Sequence, residues 1–197
     1  MDALIIMTRI PIPGQTKTRL MDIITGTECA ELHLAFLKDI VVEFVELIED
    51  MDIFLTYTPD HSFHILEPII PINIEIFPQM GEDLGERMHS AIKKVLSMGY
   101  KKVILMGSDI PNIKAKDIRN AFTILDDHDV VLGPSHDGGY YLVGMKEPND
   151  TIFHINKKWG GKSVLESTID KGNNQGLSIG LAEKYRDIDT KRIYLIL

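Results

Sequence analysis

The feature of this sequence that most constrains its fold is an alternation of short apolar runs with longer amphipathic stretches. The runs are branched and short enough to form buried strands. They lie at residues 3–7, 51–57, 72–77, 103–106 and 130–132. Buried strands that alternate with helices predict an α/β protein with a mostly parallel sheet.

The amphipathic stretches predict helices with defined starting points. Residues 28–49 place apolar side chains at helical spacing, and Thr25 with Glu28 predicts a capping box before them. Residues 84–98 follow the same pattern after Asp83, a favourable N-cap residue. Each helix is therefore expected to pack one apolar face against the sheet.

The second half of the chain continues the alternation. Helices are predicted over 114–125 and 163–171, and strands over 129–134, 140–145 and near the C-terminus. A Gly-Gly turn joins two of these strands into a hairpin, so at least one strand is antiparallel. Since no repeat or flexible linker interrupts the pattern, we predict one domain over residues 1–197.

The charge balance excludes several classes of function. Among 197 residues, 21 lysines and arginines stand against 29 aspartates and glutamates, a net charge of −8. Such a chain repels nucleic-acid backbones and anionic membranes. No apolar run approaches the roughly 20 residues that cross a bilayer, and the one cysteine cannot form an internal disulfide. We therefore expect a cytoplasmic protein whose partners are neither nucleic acids nor membranes.

The loop after the first apolar run concentrates positive charge in an acidic protein. Residues 8–20 contain two prolines, Gly14 and the cations Arg9, Lys17 and Arg19. Ligands of open α/β sheets bind beyond the carboxyl ends of the strands, where this loop begins. It lacks the glycines of an ATPase P-loop, so that motif is excluded. The loop is either a polyphosphate site, formed by the Gly14 turn and the three cations, or a solvated basic loop.

Two further loops carry carboxylates after apolar runs. Asp109 follows a very apolar strand, with Ser108 beside it. A carboxylate at a strand end suits Mg²⁺ or Mn²⁺, although a lone aspartate more often caps a helix or fastens a loop. Residues 133–141 combine small residues with His136 and Asp137, yet Asp-Gly-Gly is by itself simply a good hairpin turn. The three loops are expected to meet at one edge of the sheet.

Other candidate ligands are weaker. Asp187 and Asp189 alternate near the end of the chain, and on an extended backbone only one of them could reach a metal. The seven histidines show no paired metal-ligand spacing. His33 is therefore expected to be an ordinary packing or surface residue, and His136 is the histidine to test.

Five segments, in this order, resemble the small transferase family called domain of unknown function 2064. They are RIPIPGQTKTRL at 9–20, QMGEDLGERM at 79–88, GSDIP at 107–111, LGPSHDGGYYL at 132–142 and DIDT at 187–190. The family is treated as nucleotide-diphospho-sugar transferases of the GT-A type. Its members are often described as glycosyltransferases associated with radical-SAM proteins or arsenosugar biosynthesis. The ordered set spans nearly the whole chain, which makes the resemblance specific.

The resemblance implies a three-layer α/β/α fold of the GT-A type with a nucleotide over the sheet edge. It assigns the first loop to nucleotide phosphates and Asp109 to a divalent metal, Mg²⁺ or Mn²⁺. Asp189 is taken as the second metal candidate. Ser108 and Arg87 are added to the nucleotide-binding candidates, although Asp83 and Arg87 are as well placed to cap and brace a helix. Little chain remains after residue 145, so the acceptor is expected to be small or bound partly by a second subunit of a homo-oligomer.

Two reactions fit such a site. In the leading hypothesis a sugar moves from a nucleotide-diphosphate donor to a small acceptor. Lys17 and Arg19 would stabilise the departing diphosphate. Asp137, helped or oriented by His136, would act as the base or would instead bridge to the metal. In the alternative, a phosphorylated acceptor attacks the α-phosphate of a nucleoside triphosphate and releases pyrophosphate, which needs no carboxylate base.

The fold alone does not select between these reactions. Molybdenum-cofactor and phospholactate nucleotidylyltransferases, to which the sequence is distantly similar, use the same sheet. A third hypothesis is a nucleotide-binding subunit without turnover. It is less favoured because Lys17, Asp109 and Asp137 are all present.

Overall fold

In the computed structural model, the described residues form a sheet of seven strands. The structure describes residues 1–155, 159, 161 and 163–188. The strands are β1 (Asp2–Arg9), β2 (Asp52–Thr58), β3 (Glu75–Pro78), β4 (Lys102–Gly107), β5 (Val130–Pro134), β6 (Tyr140–Met145) and β7 (Ile179–Leu181). Their order across the sheet is β3-β2-β1-β4-β6-β5-β7.

Among the described strands, β6 alone runs against the others. It pairs antiparallel with both β4 and β5, while β1, β2, β3 and β4 pair parallel, as do β5 and β7. The predicted hairpin of β5 and β6 is thus confirmed, together with the mostly parallel sheet. Since β5 and β4 share a direction, the carboxyl ends of all the parallel strands lie at one edge. The amino end of β6 lies at that edge as well.

In the described part of the chain, four α-helices cover the two faces of the sheet. They are α1 (Gly26–Phe44), α2 (Leu84–Ser97), α3 (Ala115–Asp127) and α4 (Val164–Asn174). Short 3-10 turns lie at Thr18–Leu20, Val45–Leu47, Asp60–Ile65, Glu67–Ile69 and Thr151–Phe153. No helix among the residues just described is both long and apolar enough to cross a membrane.

The buried side chains of the strands alternate between two cores. Leu4 and Ile6 of β1 face the core that includes α1 and α3, and Ala3 and Ile5 face the core that includes α2. Successive strand side chains point to opposite faces, so a strand that is apolar at every position needs cover on both sides. The three-layer α/β/α architecture is therefore confirmed.

The first helix begins as predicted and ends earlier. Thr25 Oγ1 accepts from the Glu28 N–H at 3.2 Å, and Glu28 Oε2 accepts from the Thr25 N–H at 2.7 Å, which is the predicted capping box. The α-helix stops at Phe44 and continues only as a 3-10 turn. Glu46 and Glu49 lie in the stretch predicted to be helical, and acidic residues at a helix C-terminus oppose its dipole.

Candidate active site

A cavity of about 760 Å³ opens at the edge where the parallel strands end. The loop after β1, the end of β4, the turn between β5 and β6 and the N-terminus of α2 all contribute to its lining. The three loops predicted to meet at one edge do meet there, since Lys17, Asp109 and Asp137 line the same cavity. This is the position that ligands take in open α/β sheets.

The basic loop is held in place by its own hydrogen bonds. The buried Thr16 hydroxyl donates to the Ile10 carbonyl at 2.8 Å, and the Ile10 N–H donates to the Thr58 carbonyl of β2 at 2.8 Å. Gly14 turns the chain with a φ of +77°. It lies so close to Gly26 that a Cβ on Gly26 would come within 2.8 Å of the Gly14 nitrogen. The loop is thus seated on the first turn of α1.

Gly14 is the predicted nucleotide-binding residue of this turn. The residue makes the turn, but it is exposed and lies outside the cavity lining, which includes Gln15, Thr16 and Lys17 instead. The turn directs the following residues towards the cavity, because the chain reverses before it reaches them. Gly14 therefore shapes the loop without forming the cavity wall.

Lys17 is bonded on several sides. Its ammonium lies 2.6 Å from Oδ1 of Asp109, 2.7 Å from the Ile188 carbonyl oxygen and 4.7 Å from the centre of the Phe36 ring. The side chain is only 3% exposed. In this structure the lysine neutralises Asp109, the carboxylate assigned to the metal, instead of extending towards an open phosphate site. The spacing of these residues in the sequence does not reveal this contact between the loop after β1 and the end of β4.

Asp109 is anchored at the end of β4 and half-exposed to the cavity. Its main-chain carbonyl accepts from the Ile188 N–H at 2.9 Å, and it does not cap α3, whose N-cap is Lys114. Desolvation by the surrounding protein raises the pKa of Asp109, but the nearby Lys17 and His33 lower it by a larger amount. The net pKa therefore lies below its usual value. The carboxylate is therefore ionised near neutral pH, the form that binds a cation.

The segment after β7 brings a second carboxylate to this place. Asp187 lines the cavity, directly before the residue that is hydrogen-bonded to Asp109. Asp189, the residue predicted as the second metal ligand, lies outside the described residues. Of the alternating pair, Asp187 is the member that the structure places at the site.

His33 is the main residue that the sequence interpretation undervalued. Its ring is buried and lines the cavity, with Nδ1 3.7 Å from Oδ1 of Asp109. Burial lowers the pKa of His33 to about 4, against the opposing effect of Asp109. The lack of paired metal-ligand spacing among the histidines predicted an ordinary packing or surface residue, and only the tertiary contact with Asp109 after β4 reveals the place of His33 at the site.

The buried hydroxyl of Ser108 is used by the protein itself. It donates to Thr8 Oγ1 at 2.9 Å, and Thr8 Oγ1 in turn donates to the Arg9 carbonyl at 3.0 Å. Ser108, a predicted nucleotide-binding residue, lines the cavity, and its hydroxyl joins the ends of β1 and β4. Gln79, from the 79–88 motif, has a similar structural task, since its amide donates to the Thr8 and Thr56 carbonyls.

The turn between β5 and β6 separates the two catalytic candidates. Asp137 lines the cavity, where its Oδ1 accepts from the Ser135 hydroxyl and, at 2.9 Å, from the Gly139 N–H. His136 is exposed and does not line the cavity, and its N–H donates to the Tyr185 carbonyl. The prediction that His136 orients Asp137 is therefore not supported by the geometry. In a tight turn, neighbouring side chains point apart.

The cations of the cavity come from separate elements. Arg9 ends β1, Arg19 lies in the 3-10 turn at the end of the basic loop and Arg87 lies in the first turns of α2; all three line the cavity. Arg87 Nε donates to the Gly81 carbonyl at 2.9 Å, and Asp83 caps α2 through the Glu86 N–H. The bracing role considered for Asp83 and Arg87 is thus observed, and Arg87 faces the cavity as well.

An apolar part of the lining completes the site. It is formed mainly by Met7, Leu84, Met88, Leu105, Tyr140, Val143, Trp159 and Val164. The ring of Trp159 lies close to Gly85, where a Cβ would come within 2.7 Å of it. Apolar walls with a few charged groups are typical of small-molecule sites.

The fold and the cavity together define an α/β protein with a ligand-sized cavity at the ends of its strands. The chain belongs to the family described as "Uncharacterized protein conserved in bacteria (DUF2064)", whose model matches residues 42–160. The family resemblance seen in the sequence motifs is thereby confirmed.

Known relatives are of two kinds. A protein from Desulfovibrio desulfuricans G20, whose crystal structure is assigned as a nucleotide-diphospho-sugar transferase, is 30% identical in sequence to this chain. The two structures match with a TM-score of 0.88 over 96% of this chain and 82% of the Desulfovibrio chain. A 2-phospho-L-lactate guanylyltransferase from Methanocaldococcus jannaschii is 26% identical over 76% of this chain. The match spans only 61% of that relative's length.

The fold itself is more widely shared. The structure of a 4-diphosphocytidyl-2C-methyl-D-erythritol synthase from Anaerococcus prevotii matches this one with a TM-score of 0.59. The match covers 99% of this chain and 94% of the synthase chain. Its sequence identity is 12%, so this similarity concerns the fold alone.

Proposed function

We propose that this chain is a metal-dependent nucleotidylyltransferase that joins a nucleoside triphosphate to a phosphorylated small acceptor and releases pyrophosphate. The observation that carries the proposal is the combination, in one cavity, of the arginines Arg9, Arg19 and Arg87 with the carboxylates Asp109 and Asp187. A triphosphate needs cations along its length, and carboxylates can hold the metal that accompanies it. The similarity to 2-phospho-L-lactate guanylyltransferases supports this reaction over the sugar transfer that the sequence interpretation favoured.

The residues around Asp109 fit a hard divalent cation. Asp109 and Asp187 supply carboxylate oxygens, and the buried Nδ1 of His33 beside Asp109 has no hydrogen-bond partner. Within residues 1–155, 159, 161 and 163–188, no three metal-ligating side chains converge. Mg²⁺ is usually held by one or two carboxylates together with substrate phosphates and water, so this donor set suffices. Asp189 remains a candidate ligand on the part of the chain outside those residues.

A metal bound there would polarise the α-phosphate and neutralise charge on the departing pyrophosphate. The chain's own residues would do the rest by binding and orientation. Arg9, Arg19 and Arg87 would hold the phosphate oxygens through charge-assisted hydrogen bonds. An oxygen of the acceptor phosphate forms a bond to the α-phosphorus while the bond from that phosphorus to the β-bridging oxygen breaks. Because the acceptor phosphate is already ionised, Asp137 is not required as a base, in agreement with its use in fixing the turn.

The reaction can be tested with the substrates named by the relatives. GTP and 2-phospho-L-lactate are incubated with the protein and Mg²⁺, and ³¹P NMR follows pyrophosphate and the new diphosphate linkage. The other triphosphates and further phosphorylated acids form the rest of the panel. We expect metal-dependent pyrophosphate release with one pair and none with Asp109→Asn, provided that circular dichroism shows the variant folded.

Sugar transfer is the second candidate, favoured by the similarity to the Desulfovibrio protein. Sugar transfer and nucleotidyl transfer predict that different ligands stabilise the chain in a thermal-shift panel with Mn²⁺. In the case of sugar transfer, a nucleotide diphosphate and its sugar conjugate would stabilise the chain, and triphosphates would not. If nucleotide sugars are consumed and no triphosphate releases pyrophosphate, nucleotidyl transfer is wrong for this chain.

A further inference from the structure

His33 is a buried polar residue at the site to which the proposed reaction gives no task. Its side chain is 3% exposed, and it projects from α1 into the cavity wall beside Asp109. Nε2 lies 3.0 Å from Thr8 Oγ1 and 3.1 Å from the Arg9 carbonyl oxygen. Nδ1 has no hydrogen-bond partner and lies 3.7 Å from Oδ1 of Asp109.

These contacts determine where the ring carries its hydrogen. The Thr8 hydroxyl donates its hydrogen to the Arg9 carbonyl rather than to the ring, and a carbonyl oxygen can only accept, so we assign the ring hydrogen to Nε2, which donates to the Arg9 carbonyl. In the neutral ring Nδ1 then has the lone pair, and its nearest charged neighbour, the carboxylate of Asp109, is also an acceptor. Two acceptors that face each other require a donor between them or beside them, because a buried acceptor without a donor is costly.

Two donors near Asp109 on the described part of the chain are already engaged. The Lys17 ammonium is engaged by Asp109 and the Ile188 carbonyl, and the Ser108 hydroxyl donates to Thr8. A molecule or ion bound in the cavity can supply the missing donor. A water molecule on a divalent cation is a strong donor, and the carboxylate beside Nδ1 is the one that fits such a cation.

We propose that His33 is a positioning residue for the metal held by Asp109. Its Nδ1 accepts a hydrogen bond from a water molecule bound to that metal and so fixes the metal's hydration shell. This inference rests on the metal dependence of the proposed function. It assigns to α1, which carries no metal ligand in that function, a direct effect on metal affinity.

Two substitutions separate Nδ1 from Nε2. The amide of asparagine ends near the position of Nδ1, and that of glutamine ends near the position of Nε2. His33→Asn thus keeps an acceptor towards the metal and loses the donor to Arg9, while His33→Gln does the reverse. The affinity for Mn²⁺ alone, without nucleotide, is measured by electron paramagnetic resonance of free Mn²⁺ for the wild type and both variants.

We expect the wild type to bind Mn²⁺, His33→Gln to bind about 10-fold or more weakly, and His33→Asn to stay close to the wild type. A purely structural role predicts the opposite order, because the structural contacts are made by Nε2. That order, equal affinity in all three proteins, or no binding of Mn²⁺ by the wild type would overturn the proposal.

A measurement on the wild type covers the case in which a variant does not fold. With ¹⁵N-labelled histidine, Mg²⁺ should shift the Nδ1 resonance of His33 upfield and leave Nε2 almost unchanged. An unchanged Nδ1 resonance at saturating Mg²⁺ contradicts the proposal. Both experiments omit nucleotides, so His33-dependent metal binding in a protein that never transfers a nucleotidyl group would refute the proposed function alone.

Discussion

The Lys17 ammonium and the Asp109 carboxylate form an ion pair, 2.6 Å long, between the loop after β1 and the end of β4. The same ammonium binds the Ile188 carbonyl at 2.7 Å. One lysine therefore joins three segments that are far apart in the sequence. Its removal leaves a partly desolvated carboxylate without its counter-charge.

The first prediction concerns the energy of this ion pair. Lys17→Met should lower the free energy of unfolding by about 1–3 kcal/mol, since Asp109 loses a charged partner in a half-buried place. Asp109→Asn should cost less in the Lys17→Met background than in the wild type, with a coupling of about 1 kcal/mol. Urea denaturation of the four proteins measures this. Lys38→Met, on the exposed face of α1, is the matched control; strictly additive costs would show that the pair is not coupled.

The second prediction concerns acid stability. The folded pKa of His33 is about 4, below the ordinary value of 6.5, so the unfolded chain takes up a proton first as the pH falls. The contribution of His33 to the free energy of unfolding is therefore fully present above pH 6.5. As the pH falls towards 4, this contribution is lost and the free energy of unfolding decreases by up to about 3 kcal/mol.

Urea unfolding at pH 7, 5.5 and 4.5 provides the measurement for this prediction. His33→Gln should show a shallower pH dependence than the wild type, because it has no titrating ring. His61→Gln, which changes an exposed histidine, should retain the wild-type slope. Parallel pH profiles for the wild type and His33→Gln would contradict the low pKa.

The third prediction concerns metal-dependent nucleotide binding. A nucleotide at a hundred times its Kd should stabilise the wild type by about 2.7 kcal/mol in the presence of Mg²⁺. Asp109→Asn and Asp187→Asn should each lose most of this stabilisation, as removal of the metal by a chelator should. Thermal unfolding checks the prediction, with Asp170→Asn on the exposed side of α4 as the charge-matched control. Full stabilisation in the Asp187 variant would restrict the metal site to Asp109 among the described residues.

The fourth prediction concerns the cavity arginines. Arg9→Ala or Arg19→Ala should raise KM for the triphosphate about 10-fold, since each loses a charge-assisted hydrogen bond of about 1.5 kcal/mol or more. Arg119→Ala is the control, because Arg119 pairs with Glu46 and Asp50 outside the cavity. Steady-state kinetics with a pyrophosphate assay measures the effect. An unchanged KM would mean that the cavity arginines do not contact the phosphates.

Local signals in the sequence predicted most of the fold. The capping box of α1 depends on two residues three positions apart, and the β5–β6 hairpin depends on a Gly-Gly turn, so both were readable without tertiary information. The predicted strand at 72–77 was less accurate, because the strand is Glu75–Pro78 and Ile72 is fully exposed. An apolar residue at a sheet edge does not reveal by itself whether it is buried.

The candidate site was only partly predictable. The rule that ligands meet the carboxyl ends of parallel strands brought Lys17, Asp109 and Asp137 together correctly. It could not show that Lys17 is bonded to Asp109 or that His33 lies beside them, since both facts depend on how α1 packs. The pairing of His136 with Asp137 failed for a similar reason, because adjacency in sequence does not place two side chains on one side of a turn.

The close approach of Gly14 to Gly26 has a mechanical consequence. Gly26 and His33 belong to the same helix and are two turns, or about 10 Å, apart along its axis. The basic loop sits on one of these positions and the imidazole projects from the other. A thermal displacement of α1 therefore moves the basic loop and the His33 imidazole together. The stiffness of the helix maintains the distance between them.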